Sequence, residues 1–375
     1  MAFVGAPATL AIRSIASRGL QRNVCAVRMS ADTEFKDWKA STAFFFPGQG
    51  AQYVGMAGKL IQEVPKAKQM FEQASEVLGY DLQKMCLEGP KEKIDSTVIS
   101  QPAIYVASLA AVEKLRHDAG QAAIDKATVA AGLSLGEYTA LSFAGAISFE
   151  DGLKIVKTRG EAMQAASEAT DSGMVSVIGL DIETVDKLCA RVRELTGQKI
   201  QIANYLCPGN YAVSGSKAAC AKLAEIAKPE FKARMTVPLA VAGAFHTDFM
   251  SPAVQKLADV LAKVEIRKPR IPVISNVDAE PHSDPAVIKS ILTRQVTSPV
   301  MWEKTISAMM ARGYTEGYEL GPGKVSYPCI LPCPDPPSLP ALVRVSPRRR
   351  GNRSRSLQIS PSCVLLECKC IGAWS

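Results

Sequence analysis

The 375-residue sequence lacks the signatures of several common classes of protein. No apolar run approaches the roughly 18 residues that a membrane-spanning helix requires, so no membrane span is expected. The ten cysteines form no C-x-x-C pair and only three histidines accompany them, so we expect no metal site. The chain also contains neither a G-x-x-x-x-G-K-[ST] loop nor a G-x-G-x-x-G fingerprint, so nucleotide binding is unsupported and no cofactor is expected.

Acidic residues are absent from the first 31 positions, and this stretch contributes +4 to a formal net charge of +8. Residues 326–375 contribute a further +5, so residues 32–325 carry a charge of −1. A near-neutral central region argues against a nucleic-acid-binding surface. The composition, with 47% hydrophobic and 21% charged residues, is otherwise typical of a globular enzyme with a large core.

Residues 1–31 are rich in arginine, alanine and other small residues, with serines at Ser14, Ser17 and Ser30. This composition is typical of an organelle transit peptide, so we interpret the segment as a targeting leader. The stretch Cys25–Ala31 resembles a plastid processing region, which favours the chloroplast stroma. The mitochondrial matrix is the alternative address, and an N-terminus without any address is the remaining interpretation.

A G-x-S-x-G pattern at Gly132, Ser134 and Gly136 lies between an apolar run and an amphipathic run. The apolar run, 128–131, predicts a buried strand, and the run 138–144 predicts a helix. Strand, tight turn and helix form the context of a nucleophile elbow, in which the turn lifts a serine hydroxyl to the helix N-terminus. Ser134 is therefore the predicted nucleophile, in preference to an ordinary glycine- and serine-containing turn.

The pattern along the chain predicts an α/β fold with a parallel-sheet body and an inserted subdomain. Strands and helices over 41–168 and 239–325 predict an α/β-hydrolase-like body. Residues 169–238 instead predict the order βαββαβ of a ferredoxin-like unit. Residues 326–375 hold many prolines, arginines and serines without a sustained period, which predicts a disordered tail. A tail that binds acidic partners is the alternative.

A serine nucleophile needs a base, and the three histidines are the candidates. His117 lies beside charged residues at a predicted helix end, and His282 lies in a loop rich in Pro, Asp and Ser. His246 follows a run of small residues, where a loop can approach a pocket, so it is the predicted base by elimination. No acid is evidently placed to orient it, so a Ser–His pair held by a carbonyl and a Ser–His–acid triad both stay open.

Five short motifs occur together and in order, at Phe46-Pro47-Gly48-Gln49-Gly50, Gly132-Leu133-Ser134-Leu135-Gly136-Glu137-Tyr138, Arg159-Gly160, Gly243-Ala244-Phe245-His246 and Ser275-Asn276. With them the chain resembles the malonyl-CoA:acyl carrier protein transacylases of type II fatty acid synthesis over about residues 41–325. The inserted ferredoxin-like subdomain also fits that family.

The resemblance implies roles for the main reacting groups. It identifies Ser134 as the residue that takes the malonyl group as an ester, with His246 as its base. Arg159 matches the arginine that pairs with the free malonyl carboxylate. An arginine fork suits this task because it binds a carboxylate through two parallel hydrogen bonds.

The resemblance also implies roles for residues around the nucleophile. The backbone N–H groups of Gln49 and Leu135 match the oxyanion hole, and Gln295 matches the glutamine whose carbonyl orients the histidine. Asn204 lies in a segment that lines the family's cleft. Phe245 resembles the malonyl-type form of its loop, which would narrow the pocket against a 2-methyl branch and discriminate by about 1–3 kcal/mol.

The implied reaction moves malonyl from malonyl-CoA, as a substrate, to the thiol of acyl carrier protein by a ping-pong route in a monomeric enzyme. A serine hydrolase or thioesterase would share the elbow but has no need of Arg159. An acyltransferase of a polyketide synthase and a non-enzymatic carrier-binding module are further alternatives.

The C-terminal region departs from the family pattern. Family members continue after Gly-Pro-Gly-Lys-Val with a further apolar helix, whereas an unrelated stretch begins here at Ser326. Our hypothesis is that a retained intron or a shifted reading frame produced this aberrant C-terminus. Transcript sequencing that found only this frame across codons 320–330 would contradict it.

Overall fold

The structure is a computed structural model that describes residues 34–323 and the backbone of residues 367–370. The predicted leader, residues 1–31, lies outside the described residues. So does most of the predicted tail.

The elements up to the end of the first body segment are β1 (Thr42–Phe46), α1 (Gly58–Glu63), α2 (Pro65–Leu78), α3 (Leu82–Glu88), α4 (Lys91–Ile94), α5 (Thr97–Ala119), α6 (Gln121–Asp125), β2 (Val129–Gly132), α7 (Leu135–Phe143) and α8 (Phe149–Glu168). The subdomain contains β3 (Ser172–Ile178), α9 (Ile182–Thr196), β4 (Ile200–Cys207), β5 (Asn210–Ser216), α10 (Lys217–Phe231) and β6 (Met235–Pro238). A 3₁₀ turn (Asp248–Met250), α11 (Ser251–Lys263), β7 (Val273–Ile274), α12 (Pro285–Gln295), α13 (Trp302–Ala311), β8 (Glu316–Glu319) and β9 (Glu367–Cys370) complete the series.

The body is built on a parallel sheet of order β7-β2-β1-β8-β9. Strand β1 is buried along its whole length, as the apolar run predicts for a strand covered on both faces. Phe44 and Phe46 contribute to the larger core, whereas Phe45 packs on the opposite face with Trp302. Because the strands are parallel, the loops after β1, β2 and β7 meet at one edge of the sheet.

The subdomain has a separate antiparallel sheet of order β4-β5-β3-β6. Helices α9 and α10 pack on it, and side chains such as Val177, Leu188, Val213 and Leu223 form a core of their own. The element order βαββαβ is the one from which the ferredoxin-like prediction was made. The predicted α/β fold, with a parallel sheet and a second unit, is confirmed at this level.

Some elements differ from the prediction. Residues 56–79 contain two helices, α1 and α2, which are separated at Val64 in extended conformation. Pro65 begins the second helix, where its missing N–H costs nothing, and it disfavours a helical conformation at the residue before it. The short helices α3, α4 and α6 were not predicted, since each has too few residues to show a period. No helix within 34–323 is long and apolar enough to cross a membrane.

The described part of the tail is a strand rather than disordered chain. Strand β9 pairs in parallel with β8, with Gly317 opposite Cys368, and occupies the edge of the body sheet. The prediction of disorder over 326–375 is therefore wrong for these four residues. An open sheet edge offers unpaired backbone groups to any short extended segment, and the composition of the tail does not reveal that pairing.

Candidate active site

Ser134 lies in a sharp turn between β2 and α7. Its backbone has φ 52° and ψ −103°, a strained conformation for a residue with a side chain. The flanking glycines leave room for this turn. A Cβ on Gly132 would lie 2.0 Å from the backbone of Gly136, and a Cβ on Gly136 would lie 2.1 Å from the carbonyl oxygen of Phe46. The predicted elbow is thus present, with the serine at the helix N-terminus.

The loop after β1 packs directly against the elbow. The Leu133 amide donates to the Phe46 carbonyl at 3.1 Å, and a Cβ on Gly48 would lie 2.4 Å from the Leu133 carbonyl oxygen. This contact brings Gln49, the next residue, to the nucleophile edge of the sheet. The Gln49 side chain turns aside and donates to Thr97 Oγ1 at 3.2 Å. Leu135 is the first residue of α7, so its amide lies among the unsatisfied donors of the helix N-terminus.

Ser134 and His246 are hydrogen-bonded. Ser134 Oγ lies 2.8 Å from His246 Nε2, and His246 Nδ1 lies 3.0 Å from the backbone carbonyl oxygen of Gln295. Since a carbonyl only accepts, Nδ1 carries the proton and Nε2 is free to accept from the serine hydroxyl. Of the two arrangements left open by the sequence, the structure has the carbonyl-oriented pair.

His246 is buried and held neutral. Burial is the main cause that lowers its pKa to about 4, and the positive charge of Arg159 lowers it further. Hydrogen bonds to the backbone at Gln295 and Ser298 oppose the shift. A neutral imidazole near neutral pH is the form that can accept the serine proton.

Arg159 is a buried cation beside Ser134. Its side chain is 1% exposed, and its Nη2 donates to Ser134 Oγ and to Gln295 Oε1, each at 3.0 Å. Nη1 donates to Gln101 Oε1 at 2.9 Å, and the guanidinium carbon lies 5.2 Å from the centre of the Tyr138 ring. Within 34–323 the guanidinium forms no salt bridge, and its buried Nε has no hydrogen-bond partner.

Asn276 and Glu137 hold the turn at Ser134 in place through hydrogen bonds. Asn276 Oδ1 accepts from the Ser134 amide at 2.6 Å, while Asn276 Nδ2 donates to the Gly132 carbonyl at 2.8 Å. Glu137 Oε2 accepts from the Asn276 amide at 3.0 Å and from Gln295 Nε2 at 2.6 Å. Burial raises the pKa of Glu137 to about 7, against the lowering effect of these two hydrogen bonds.

Sequence reasoning quoted Glu137 and Asn276 within motifs but assigned neither a role, and it did not single out Gln101. The sequence did carry a positional signal for Glu137 and Asn276. Glu137 lies one helical turn after the nucleophile, and Asn276 follows a strand that neighbours β2. Gln101 is on α5, and nothing in its local pattern separates it from a solvent-facing glutamine.

Asn204 and Phe245 lie farther from these contacts. Asn204 is on β4 at a register shift, with its Oδ1 buried and unpaired, and no described hydrogen bond links it to the nucleophile. Phe245 packs in the larger core, and its carbonyl accepts from Ser214 Oγ at 2.9 Å. Phe245 is thus adjacent to His246 along the backbone, while its side chain packs in the larger core.

The other two histidines pair elsewhere. His117 is exposed and lies 3.1 Å from Asp118, and His282 Nε2 lies 3.0 Å from Asp278. Among the described side chains, no group of three or more His, Cys, Asp and Glu could hold a metal ion.

The chain is similar to known acyl transferases. The family model described as "Acyl transferase domain" matches residues 43–325. "Malonyl-CoA-acyl carrier protein transacylase, mitochondrial" of Mus musculus is 44% identical over 294 residues, or 76% of this chain and 76% of the relative. "Malonyl CoA-acyl carrier protein transacylase" of Bacillus subtilis (strain 168) is 40% identical over 283 residues, or 76% of this chain and 87% of the relative. The range matched by the family model includes every residue of the site.

Solved structures show the same likeness. A malonyl CoA-acyl carrier protein transacylase from Coxiella burnetii has a TM-score of 0.74 and 35% identity, covering 78% of this chain and 90% of the other. A malonyl-transacylase solved in complex with its type II polyketide acyl-carrier protein has a TM-score of 0.73 and 36% identity, covering 78% and 92%.

Proposed function

We propose that this chain, which belongs to the acyl transferase family and within it to the malonyl-CoA-acyl carrier protein transacylases, transfers a malonyl group from malonyl-CoA to the thiol of an acyl carrier protein. The malonyl group is held as an ester on Ser134 between the two half-reactions. The position of Ser134, on an elbow at the C-terminal edge of a parallel sheet, also supports the description of the body as α/β-hydrolase-like.

The observation that carries the proposal is the placement of Arg159. Its Nη2 lies 3.0 Å from the nucleophile oxygen, and the neighbouring Nε on the same edge of the guanidinium has no partner. A carboxylate that replaced the Ser134 hydroxyl at Nη2 would meet two parallel N–H groups along this edge, the geometry that binds a carboxylate. Because it is so close to Ser134, the carboxylate must lie within a carbon or two of the acyl carbon, as it does in malonyl.

The first half-reaction forms the ester. Ser134 Oγ attacks the thioester carbonyl while its proton passes to His246 Nε2, and the developing oxyanion is stabilised by the amides of Gln49 and Leu135. The carbon–sulfur bond then breaks and His246 returns the proton to the CoA thiolate. One such oxyanion donor contributes typically about 10²–10³ in rate.

The second half-reaction reverses the first with a different thiol. The thiol of the carrier protein gives its proton to His246 and its sulfur attacks the malonyl-Ser134 ester, which restores the serine hydroxyl. In this scheme Asn204 lines the cleft along which the thioester arm enters. Phe245 restricts the width of the acyl pocket.

We also propose a mitochondrial address for the leader. The plastid interpretation rests on the resemblance of Cys25–Ala31 alone, whereas relatives from three animals carry "mitochondrial" in their names. A fusion of residues 1–31 to a fluorescent protein, imaged beside mitochondrial and plastid markers, distinguishes the two. We expect the enzyme to act as a monomer, which light scattering of the purified protein checks.

The family match ends at residue 325, where the divergent tail begins. This boundary supports the hypothesis of a retained intron or shifted frame, for which transcript sequencing across codons 320–330 is the test.

Mass spectrometry after incubation with malonyl-CoA tests the proposed function directly. One malonyl adduct on Ser134, absent from Ser134→Ala and discharged by added carrier protein, is the expected result. Free malonate as the main product in the presence of carrier protein would instead indicate a hydrolase. A well-folded protein that forms no adduct would favour the non-enzymatic carrier-binding module.

A further inference from the structure

Glu137 is a buried carboxyl group that the reaction scheme does not use. It lies in the first turn of α7, three residues after the nucleophile, and is 2% exposed. A carboxyl group removed from water is unfavourable unless it is hydrogen-bonded, and here one oxygen, Oε2, accepts from both Asn276 and Gln295. Because Oε2 takes both bonds, it accepts whether or not the other oxygen carries a proton.

Gln295 contacts each of the three reacting residues. Its backbone carbonyl accepts from His246 Nδ1 at 3.0 Å, and its Oε1 accepts from Arg159 Nη2 at 3.0 Å. Its Nε2 donates to the Ser134 carbonyl oxygen at 3.0 Å, in addition to Glu137. A shift of this one residue would therefore change the positions of base, cation and nucleophile together.

The contact with Glu137 fixes which way the Gln295 amide points. With the amide nitrogen toward Glu137, a donor meets an acceptor, and the amide oxygen is left to accept from Arg159. A flipped amide would set two acceptors against each other at Glu137 and two donors against each other at Arg159. Together with the Ser134 carbonyl, which also accepts from Gln295 Nε2, the Glu137 oxygen thus fixes the amide orientation that leaves Oε1 for Arg159.

The second contact of Glu137 reaches the elbow itself. It holds the Asn276 amide, and the Asn276 side chain bonds to Gly132 on one side of the turn and to the Ser134 amide on the other. Since Ser134 has a strained backbone, the surrounding hydrogen bonds must hold it there.

We propose that Glu137 is a positioning residue: through Gln295 and Asn276 it sets the geometry of Arg159, His246 and Ser134 for acyl transfer. This inference rests on the proposed function for its malonyl-specific part. The positioning of the serine itself does not depend on the identity of the acyl donor.

The test compares Glu137→Met, Glu137→Asp and Glu137→Gln with the wild-type protein and with Glu161→Met, which alters an exposed glutamate on α8. Methionine removes both acceptors at similar volume, and aspartate keeps the charge but withdraws the oxygens by one methylene. Glutamine can place an amide oxygen where Oε2 lies. Two readouts are measured on Ser134. One is the rate of labelling by a fluorophosphonate, and the other is the ratio of the acylation rates with malonyl-CoA and with acetyl-CoA.

We expect Glu137→Met and Glu137→Asp to lower the fluorophosphonate rate per folded molecule at least about tenfold, because small displacements of reacting groups are costly. The malonyl-to-acetyl ratio should fall as well, since Arg159 loses its fixed acceptor. Glu137→Gln should recover both readouts to within about threefold, and Glu161→Met should leave them unchanged. Far-UV circular dichroism and the melting temperature give the folded fraction.

Wild-type rates per folded molecule in Glu137→Met or Glu137→Asp, with only a lower melting temperature, would overturn the inference. Should Glu137→Met fail to fold, the aspartate variant decides. A Ser134 that reacts with the fluorophosphonate but not with malonyl-CoA would refute the proposed function, and the fluorophosphonate rates would still judge the role of Glu137.

Discussion

Replacing Arg159 with alanine should cost the enzyme its use of malonyl-CoA while sparing acetyl-CoA. A substrate carboxylate beside Ser134 would accept from the unpaired Nε and replace Ser134 Oγ at Nη2, and hydrogen bonds to charged groups contribute about 1.5–3 kcal/mol each. At 1.36 kcal/mol per tenfold, two such bonds correspond to a loss of about 10²- to 10⁴-fold in kcat/KM for malonyl transfer. Acetyl has no carboxylate, so its transfer should change by no more than about threefold or should improve.

The assay is stopped-flow or quenched-flow acylation of Ser134 with each thioester, read by mass spectrometry. Lys154→Ala is the matched control, since it removes an exposed cation from the same helix. Alanine at 159 leaves the buried acceptors of Gln101 and Gln295 without their donor, at about 1–3 kcal/mol each, so melting curves must accompany the rates.

The comparison of the two thioesters makes the reasoning refutable. An equal loss of malonyl and acetyl transfer in a folded Arg159→Ala protein would show that the arginine acts on the nucleophile or the fold. In that case the carboxylate-binding role assigned to it would be wrong.

The elbow glycines and the buried titratable groups give further expectations. Gly136→Ala should reduce the free energy of unfolding by about 3 kcal/mol and the melting temperature by about 6–12 °C, because the added Cβ would lie 2.1 Å from a backbone oxygen. Gly173→Ala, whose Cβ meets only a lysine side chain at 3.9 Å, is the control for the calorimetry. Equal melting temperatures of the two variants would contradict the packing argument. With the pKa of His246 at about 4, the fluorophosphonate rate at pH 5 should keep about nine tenths of its value at pH 7, whereas an ordinary pKa near 6.5 would leave about 4%. The Glu137 carboxyl keeps its proton to about pH 7 in the folded protein but releases it near pH 4.5 in the unfolded chain, so the free energy of unfolding should fall as pH rises between these values. Relative to Glu137→Gln, the fall measured by urea titration between pH 5 and pH 8 should reach about 3 kcal/mol. Equal pH dependence of the two proteins would contradict this.

The fold could be predicted where the apolar pattern has a clear period. The buried run of β1, the long helices α5 and α8, and the order βαββαβ of the subdomain all follow from local pattern. The short helices and β9 could not be predicted, because four to seven residues carry no period and an edge pairing depends on a partner far along the chain.

The site could be predicted where a residue's chemistry has a local signature. Ser134 shows itself by its glycines, and His246 emerges because the other two histidines lie among charged or turn-forming residues. The burial of Arg159 could not be inferred from its helix, since Lys154, Lys157 and Glu161 surround it in sequence. Its guanidinium is held by hydrogen bonds to Gln101 and Gln295, which lie 58 and 136 residues away along the chain. The histidine's partner is a backbone carbonyl, which has no signature in the local pattern, and only the family resemblance pointed to Gln295.

The use of a carbonyl rather than a carboxylate at His246 agrees with the demands of Arg159. The acceptor at His246 is the backbone carbonyl of Gln295, whose side chain contacts Arg159, so a carboxylate in place of that carbonyl would lie near the guanidinium and, in a buried site, attract it strongly. The arginine would then be neutralised before any substrate entered. Its hydrogen-bond acceptors within residues 34–323 are neutral, so the guanidinium is a desolvated charge without an ion pair there, an unfavourable state that a substrate carboxylate relieves. The same positive charge helps lower the pKa of His246. In the proposed reaction, Arg159 therefore selects an acyl group with a free carboxylate and adds to the burial that keeps the base unprotonated.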